Sequence, residues 1–142
     1  MHRLSLALVL SACALSAAGC GGGHPHSAPL LRTVTVPAYA GFPATTIVGT
    51  YSASACNATA RAYLRDARLF VAHSGAQAAY SADNYYLELV QDFADFQAHS
   101  CNPATLGRAL ETGMTRRQRA ALVAGLPSTM AQKVRESLDG RS

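Results

Sequence analysis

Apolar residues return at helical spacing in two stretches near the middle of the chain. These predict one helix over about 55–73 and another over about 82–99. In both stretches apolar side chains recur every three or four residues, as on one face of an α-helix. The first set is Cys56, Ala60, Tyr63, Leu64, Ala67, Phe70 and Val71; the second is Tyr86, Leu89, Val90, Phe93 and Phe96. The short connection between them predicts an antiparallel helical hairpin.

Local signals set the limits of these two helices. Ser52 or Ser54 can cap the first helix, and Gly75 is a plausible stop after it. Ser81 is the expected N-cap of the second helix. Both helices are therefore expected to be about five turns long.

The chain after Cys101 predicts two or three short helices. Asn102-Pro103 is a helix start, and Thr115 with Gln118 fits a capping box. A last helix is expected over about 128–138. The expected core positions are Leu106, Ala109, Leu110, Leu122, Val123, Met130, Val134 and Leu138. The predicted fold class is all-α, a small helical bundle over residues 52–140 built on the hairpin.

The stretch before the helices contains many proline and glycine residues. Residues 21–35 predict a flexible tether, because they are rich in Gly, Pro and Ser and lack a period. Residues 34–50 alternate only briefly, and their prolines argue against a central strand. We expect an extended segment that lies across the helices, with Tyr39, Phe42 and Ile47 as its anchors.

Composition agrees with helices that pack on small side chains. The chain has 142 residues, no Trp and a hydrophobic fraction of 49%, much of it alanine and the apolar N-terminus. One domain is expected. The net charge of +4 comes mostly from scattered arginines, which is unlike the dense basic stripe of a nucleic-acid binder. No nucleic-acid partner is expected.

The N-terminus has the pattern of an export signal. Arg3 precedes an uncharged apolar run from Leu4 to Ala18, which is short for the ~20 residues of a membrane span. The run ends in small residues, then Cys20 and three glycines. The pattern predicts a signal peptide over residues 1–19 and a tether with an extended segment over 20–51.

Small residues before a cysteine and glycines after it resemble the lipobox of bacterial lipoproteins. The resemblance covers about the first 20 residues and implies cleavage before Cys20, a diacylglycerol on its sulfur and often an acylated amine. It thus implies a lipid anchor in the cell membrane, on the extracytoplasmic side. Ala17 stands where that family usually has Leu, and Leu10 to Cys13 is a second lipobox-like sequence. Ordinary secretion after cleavage at Ala18 is the other alternative.

The two remaining cysteines bracket the predicted hairpin. Antiparallel helices would bring Cys56 opposite Cys101. If Cys20 carries lipid and Cys13 leaves with the signal, these are the last two thiols, in a compartment where disulfides persist. We predict a Cys56–Cys101 disulfide; the alternative is a pair of buried free cysteines.

Charged residues also recur at helical spacing on both helices. The first helix carries Arg61, Arg65 and Arg68, and the second carries Glu88, Asp92 and Asp95. The disulfide register would place them level, yet helical geometry at ~100° per residue puts them on opposite flanks. Two solvated faces are expected in preference to three ion pairs.

Sequence motifs for catalysis are absent, so an enzyme is not expected. No cofactor and no metal site are expected either, since His24 and His26 have no third ligand nearby. The expected function is a non-catalytic interaction or structural module with an unknown protein or cell-envelope partner.

Two groups of residues are nevertheless candidate binding sites. The alternative function is an extracytoplasmic carrier of haem or a small apolar ligand, since Tyr and His can ligate haem iron. Its candidate residues gather at the hairpin turn: His73, Tyr80, Tyr85 and Tyr86. A second candidate is an anion-binding site at the helix start that carries Arg116, Arg117 and Arg119. The alternative interpretation is a solvated surface turn.

Overall fold

A computed structural model describes residues 30–39, 41–73 and 79–140, with side chains left undescribed at 79–83. Its five helices are α1 (Ala53–His73), α2 (Ala79–Ala98), α3 (Pro103–Gly113), α4 (Arg116–Gly125) and α5 (Ser128–Leu138). Two strands precede them, β1 (Arg32–Val36) and β2 (Thr45–Gly49). The fold is therefore mostly helical but not purely all-α.

The β-hairpin corrects the expectation of a tether up to Thr35. β1 and β2 pair antiparallel, with Arg32 opposite Gly49 and Val36 opposite Thr45. Both strands are rich in the β-branched residues that favour extended structure. Pro37 and Pro43 lie in the connection between the strands, so they interrupt no ladder bond. The prolines argued only against a central strand, and both strands of this two-stranded sheet are edge strands.

The helical hairpin of α1 and α2 is confirmed, together with its disulfide. Cys56 and Cys101 are joined, with their Cα atoms 5.4 Å apart. Ser52 caps α1 by accepting a hydrogen bond from the Ala55 amide at 3.3 Å. Ser81 is not the N-cap of α2, because that helix already begins at Ala79.

The core lies where the hairpin meets α3, α4 and α5. The most deeply buried large side chains come from every one of the five helices: Tyr63, Leu89, Leu106, Leu110, Leu122 and Val134. Gly107 lets α3 approach α5, since a Cβ there would lie 1.9 Å from the Ser137 carbonyl oxygen. The predicted caps of α3 and α4 are present, with Asn102 accepting from the Ala104 amide and Thr115 paired with Gln118.

Candidate functional site

Exposed apolar side chains are concentrated on and around the β-hairpin. Among the described residues, the large hydrophobic side chains that are exposed all lie between positions 30 and 51. They are Leu30, Leu31, Tyr39, Phe42, Val48 and Tyr51, here called the apolar hairpin surface. Tyr39 and Phe42 were expected to anchor this segment, but they remain 40% and 47% exposed. This surface is the leading candidate for contact with another molecule.

The opposite face of the β-hairpin packs on α2. Val36 is buried and Ile47 is half-buried, while Thr33, Thr35 and Thr46 face outward. This alternation follows from the two-residue period of a strand. Val36, which was not among the expected anchors, is the most buried side chain of the two strands.

Gly49 allows β2 to approach α2 closely. A Cβ at this position would lie 2.9 Å from the Ala98 carbonyl carbon. One residue later, the Thr50 carbonyl oxygen lies 2.6 Å from Nδ1 of His99. At the connection, the ring of Tyr39 meets that of Tyr86 edge-on at 5.3 Å. The β-hairpin is thus held against α2 at both of its ends.

Asp95 joins this attachment to α1. Its Oδ2 accepts a hydrogen bond from the Thr59 hydroxyl at 2.7 Å, and its Oδ1 lies 3.6 Å from Nε2 of His99. A chain of polar contacts therefore runs from α1 through α2 to Thr50. The Thr59 hydroxyl faces the carboxylate and not the imidazole, so the set lacks the nucleophile–base contact of a hydrolytic triad.

A second polar group, which sequence reasoning missed, lies between α1 and α2. The Asp66 carboxyl group is 4% exposed and accepts two hydrogen bonds from Arg65, at 2.7 and 2.6 Å. Asp92 comes close from α2, and its Oδ2 is buried without a hydrogen-bond partner in the described part of the chain. The hydroxyl of Tyr63, on a side chain that is 1% exposed, also has no partner among the residues described.

Burial and like charge act together on this group. Burial first, then the hydrogen bond and like charge of Asp66, and last Glu88 raise the pKa of Asp92 against the opposing charge of Arg65, to a net value of about 7. Burial, followed by the charge of Asp92, raises the pKa of Tyr63 well above its ordinary value. Near neutral pH, Asp92 therefore exchanges a proton beside a carboxylate that Arg65 already neutralises.

Neither expectation for the two charge stripes describes them well. None of the three cross-helix ion pairs forms between these described residues. Arg68 instead donates through Nε to the Gly113 carbonyl at 2.9 Å. Asp92 is half-buried, so the acidic stripe is not fully solvated. Helical periodicity showed that the stripes diverge, but it could not show that Asp66 turns inward.

The candidate ligand residues at the helical-hairpin turn are only partly brought together. The rings of His73 and Tyr85 meet with centroids 5.0 Å apart. Tyr86 contacts Tyr39 of the β-hairpin, while the side chain of Tyr80 lies outside the described part of the chain. Of the four candidates, His73 and Tyr85 are thus in contact with each other, while Tyr86 contacts a different element.

The three arginines at the start of α4 have different surroundings. Arg119 donates through Nη1 to the carbonyl oxygens of Met114 at 2.6 Å and Glu111 at 3.2 Å. These carbonyls belong to the C-terminal end of α3, where a cation is favourable. Arg116 and Arg117 remain exposed, so the anion site predicted from all three arginines rests mainly on these two.

The surface also has open grooves, one of which is lined by charged side chains. One groove of about 370 Å³ runs between the start of β1, α2 and α5. Arg32, Lys133 and Glu136 line it over the rings of Phe93 and Phe96. The Lys133 ammonium lies 5.0 Å from the centre of the Phe93 ring, a cation–π contact.

Comparisons with known proteins identified no similar protein. No family model matches the chain, and no curated protein or solved structure is significantly similar to it. Within the described part of the chain, no group of three or more His, Cys, Asp or Glu residues could hold a metal ion. No helix in that part is long and apolar enough to cross a membrane. Cys20 and the predicted signal peptide over residues 1–19 lie outside the described residues.

Proposed function

We propose that this protein is a membrane-anchored extracytoplasmic lipoprotein whose folded part is a non-catalytic interaction module. Its contact surface is the apolar hairpin surface. The observation that carries this proposal is the concentration of exposed large hydrophobic residues between positions 30 and 51. Single exposed apolar residues are ordinary, but a group of them on one element is typical of an interaction site.

The scaffold beneath this surface is suited to presenting it. The disulfide closes the helical hairpin, and α2 holds the β-hairpin through Val36, Gly49 and His99. A preorganised surface loses less conformational entropy when it binds than a mobile one. The apolar side chains are therefore offered on an element whose other face is already packed.

The lipid anchor is the second part of the proposal. Its support is the resemblance of the sequence around Cys20 to a lipobox, ten residues before Leu30. Replacement of Cys20 by Ser removes the sulfur that would carry the diacylglycerol. We expect Cys20→Ser to release the protein from the membrane fraction into the soluble extracytoplasmic fraction. Membrane retention of the variant would point to Cys13 or to an uncleaved signal.

The contact surface is tested by labelling in intact cells. Val48→Cys places a thiol on the apolar hairpin surface, and Ala121→Cys places one on the exposed side of α4. Both should react with a maleimide in the purified protein, and intact mass confirms that the native disulfide persists. In cells we expect position 48 to be protected and position 121 to react. Equal reaction at both positions in cells would contradict the proposed contact surface.

A carrier of haem or a small apolar ligand is the second candidate function. The observation in its favour is the meeting of His73 and Tyr85 at one end of the helical hairpin. Haem titration of the purified protein tests it, with His73→Ala and the distant His99→Gln as a matched pair. A Soret shift that His73→Ala alone abolishes would support the carrier; an unchanged haem spectrum would remove the haem version.

A further inference from the structure

We infer that the open end of the β-hairpin rests on the lipid bilayer, with Leu30, Leu31, Val48 and Tyr51 inserted at the level of the lipid headgroups. This open-end group comprises the four most exposed members of the apolar hairpin surface, from 56% at Val48 to 87% at Leu30. The inference names the partner of that surface, and it rests on the proposed lipid anchor at Cys20.

The strand register places these residues where the chain leads toward the anchor. Arg32 lies opposite Gly49, so Leu31 and Leu30 leave β1 at the same end at which Thr50 and Tyr51 leave β2. Leu30 follows Cys20 by ten residues. Even a fully extended chain spans at most ~3.6 Å per residue, so the anchor keeps Leu30 within about 36 Å of the lipid.

Such a tether makes a weak apolar contact sufficient. Once the acyl chains are in the membrane, contact between the open-end group and the bilayer becomes an intramolecular event at high effective concentration. The turn end of the β-hairpin, with Tyr39 and Phe42, lies at the other end of the strands and is not constrained in this way. Proximity thus selects the open end for the bilayer.

The chemistry of the open end also fits a membrane interface. Leucine and valine favour the acyl boundary, and tyrosine is enriched at the headgroup level, where one end of its ring is wet. Beyond the Thr33–Val48 pair, Thr35 and Thr46 lie opposite each other and make the outward face of the strands polar. Insertion would therefore end near the Thr33–Val48 pair, and Thr35 and Thr46 would stay in water.

Charge at the same end favours anionic lipid. Arg32 starts β1 beside the open-end group and lines the groove that also contains Lys133. Basic residues close to a membrane are attracted to anionic headgroups. Glu136 lines the same groove and offsets part of this attraction, so the apolar residues supply most of the contact.

A single introduced tryptophan tests this orientation, since the chain has none. The purified exported protein carries either Tyr51→Trp or, as control, Ala121→Trp on the exposed side of α4. Each is incorporated into vesicles of phosphatidylcholine and phosphatidylglycerol, prepared with and without brominated acyl chains. Co-sedimentation verifies that the protein is on the vesicles, and intact mass verifies the lipid on Cys20.

We expect bromine to quench emission from position 51, with a blue shift, and to leave position 121 unchanged. Equal emission from position 51 with and without bromine, on protein that co-sediments, would overturn the inference while leaving the anchor intact. A blue shift at position 51 that depends on protein concentration, without quenching, would indicate a second copy on this surface and would also overturn it. If intact mass shows no lipid on Cys20 and the protein fails to co-sediment with the vesicles, the proposed anchor would be refuted instead.

A charge variant supplies an independent measurement. Leu30 and Leu31 are 87% and 71% exposed, so replacing both with Asp should leave the helical fold intact, as circular dichroism would verify. In the Tyr51→Trp background we expect this double variant to lose the quenching by brominated lipid. Replacing Ala120 and Ala121 with Asp, on the exposed side of α4, adds the same charge away from the open end and should preserve it. Quenching that survives the Leu30 and Leu31 changes would contradict insertion of the open end.

Discussion

Two buried hydroxyl groups in α1, those of Thr59 and Tyr63, differ in their hydrogen bonding. The Thr59 hydroxyl contacts the Ala55 carbonyl oxygen at 3.0 Å and the Asp95 carboxylate at 2.7 Å. The Tyr63 hydroxyl, one turn later, has no hydrogen-bond partner among the described residues. A buried polar group without a partner loses its hydration and gains nothing in exchange. The ring of Tyr63 stabilises the core, and its hydroxyl opposes that effect.

Tyr63→Phe should therefore keep or increase stability. It removes the orphaned hydroxyl and retains the ring that packs edge-on against Phe93 at 6.3 Å. We expect the free energy of unfolding to rise by up to ~1 kcal/mol. Thr59→Val is the matched contrast, since it removes a hydroxyl with two partners and should lower stability by ~1–2 kcal/mol. Urea unfolding measures both; a clear loss in Tyr63→Phe would reveal a partner for its hydroxyl.

Asp92 predicts a specific dependence of stability on pH. Its pKa of about 7 in the folded protein lies above the ~3.9 of an unfolded Asp. Between these values the unfolded chain releases a proton that the folded chain keeps, so the free energy of unfolding falls as pH rises. The contribution from protonated Asp92 is fully present below about pH 4 and is lost above about pH 7.

Asp92→Asn should remove this slope. We expect the variant to lose less stability than the parent between acidic and neutral pH, as measured by urea unfolding across that range. Asp139→Asn, at an exposed carboxyl after α5, is the control and should keep the parental slope. Parallel curves for the parent and Asp92→Asn would show that Asp92 is ionised in the folded protein well below neutral pH.

Two different attachments join the elements of the fold. The disulfide links the start of α1 to the residue beyond α2, across a sequence separation of 45. The β-hairpin, by contrast, is attached to α2 without a covalent bond, through close backbone approach at Gly49 and burial of Val36. The first should determine global stability, and the second should determine whether the apolar hairpin surface is held in place.

Removal of the disulfide should weaken the whole fold. On the chain-entropy model, a closed loop of this length stabilises the folded state by roughly 4 kcal/mol. We expect Cys56→Ser with Cys101→Ser to lower the free energy of unfolding by about that amount, as denaturant titration would measure. The same titration of the parent under reducing conditions is the matched control. A change well below 1 kcal/mol would show that helix packing alone holds the hairpin closed.

Gly49→Ala should loosen the β-hairpin selectively. Its new Cβ would meet backbone atoms of α2 that cannot move aside, since Ala98 C is 2.9 Å away. We expect a local loss of ~1–3 kcal/mol, seen as faster amide exchange in β1 and β2 with little change in α3. Thr46→Ala, on the outward face, is the control. Uniformly faster exchange would instead indicate that the β-hairpin is required for the helical core.

The whole molecule is proposed to be a compact helical scaffold held at a membrane by lipid, with one apolar end turned toward the bilayer. At this scale, side chains from all five helices fill the core of that scaffold. The cleavage site, the lipid and the disulfide all change the mass of the exported protein. One measurement of intact mass can therefore test the lipid anchor and the disulfide together.

The intact mass of the exported protein should correspond to a chain that starts at Cys20 and carries acyl chains. Reduction followed by thiol alkylation should add two labels, at Cys56 and Cys101. A lipidated chain starting at Cys13, with one additional labelled thiol at Cys20, would place both lipid and cleavage at Cys13 instead. An unlipidated chain starting at Gly19 would indicate ordinary secretion after Ala18.

Much of the helical part could be predicted because its signals are local. The apolar spacing, the Asn102 and Thr115 caps and the two bracketing cysteines each depend on a few neighbouring residues. The β-hairpin was missed because its strands are short and pair only with each other and with α2, and its prolines obscured two β-branched runs. The pairing of β1 with β2 and their packing on α2 leave no periodic pattern in the local sequence.

The sequence by itself determined the helical hairpin, its disulfide and the caps of α3 and α4, because helix formation depends on side chains three or four residues apart. Only the tertiary structure decided that Asp66 turns inward beside Asp92, that Arg119 serves α3, and that the β-hairpin buries Val36 while leaving its open end exposed. These outcomes depend on which faces of distant elements meet. The resulting surface, more than any single motif, is what suggests how this protein acts.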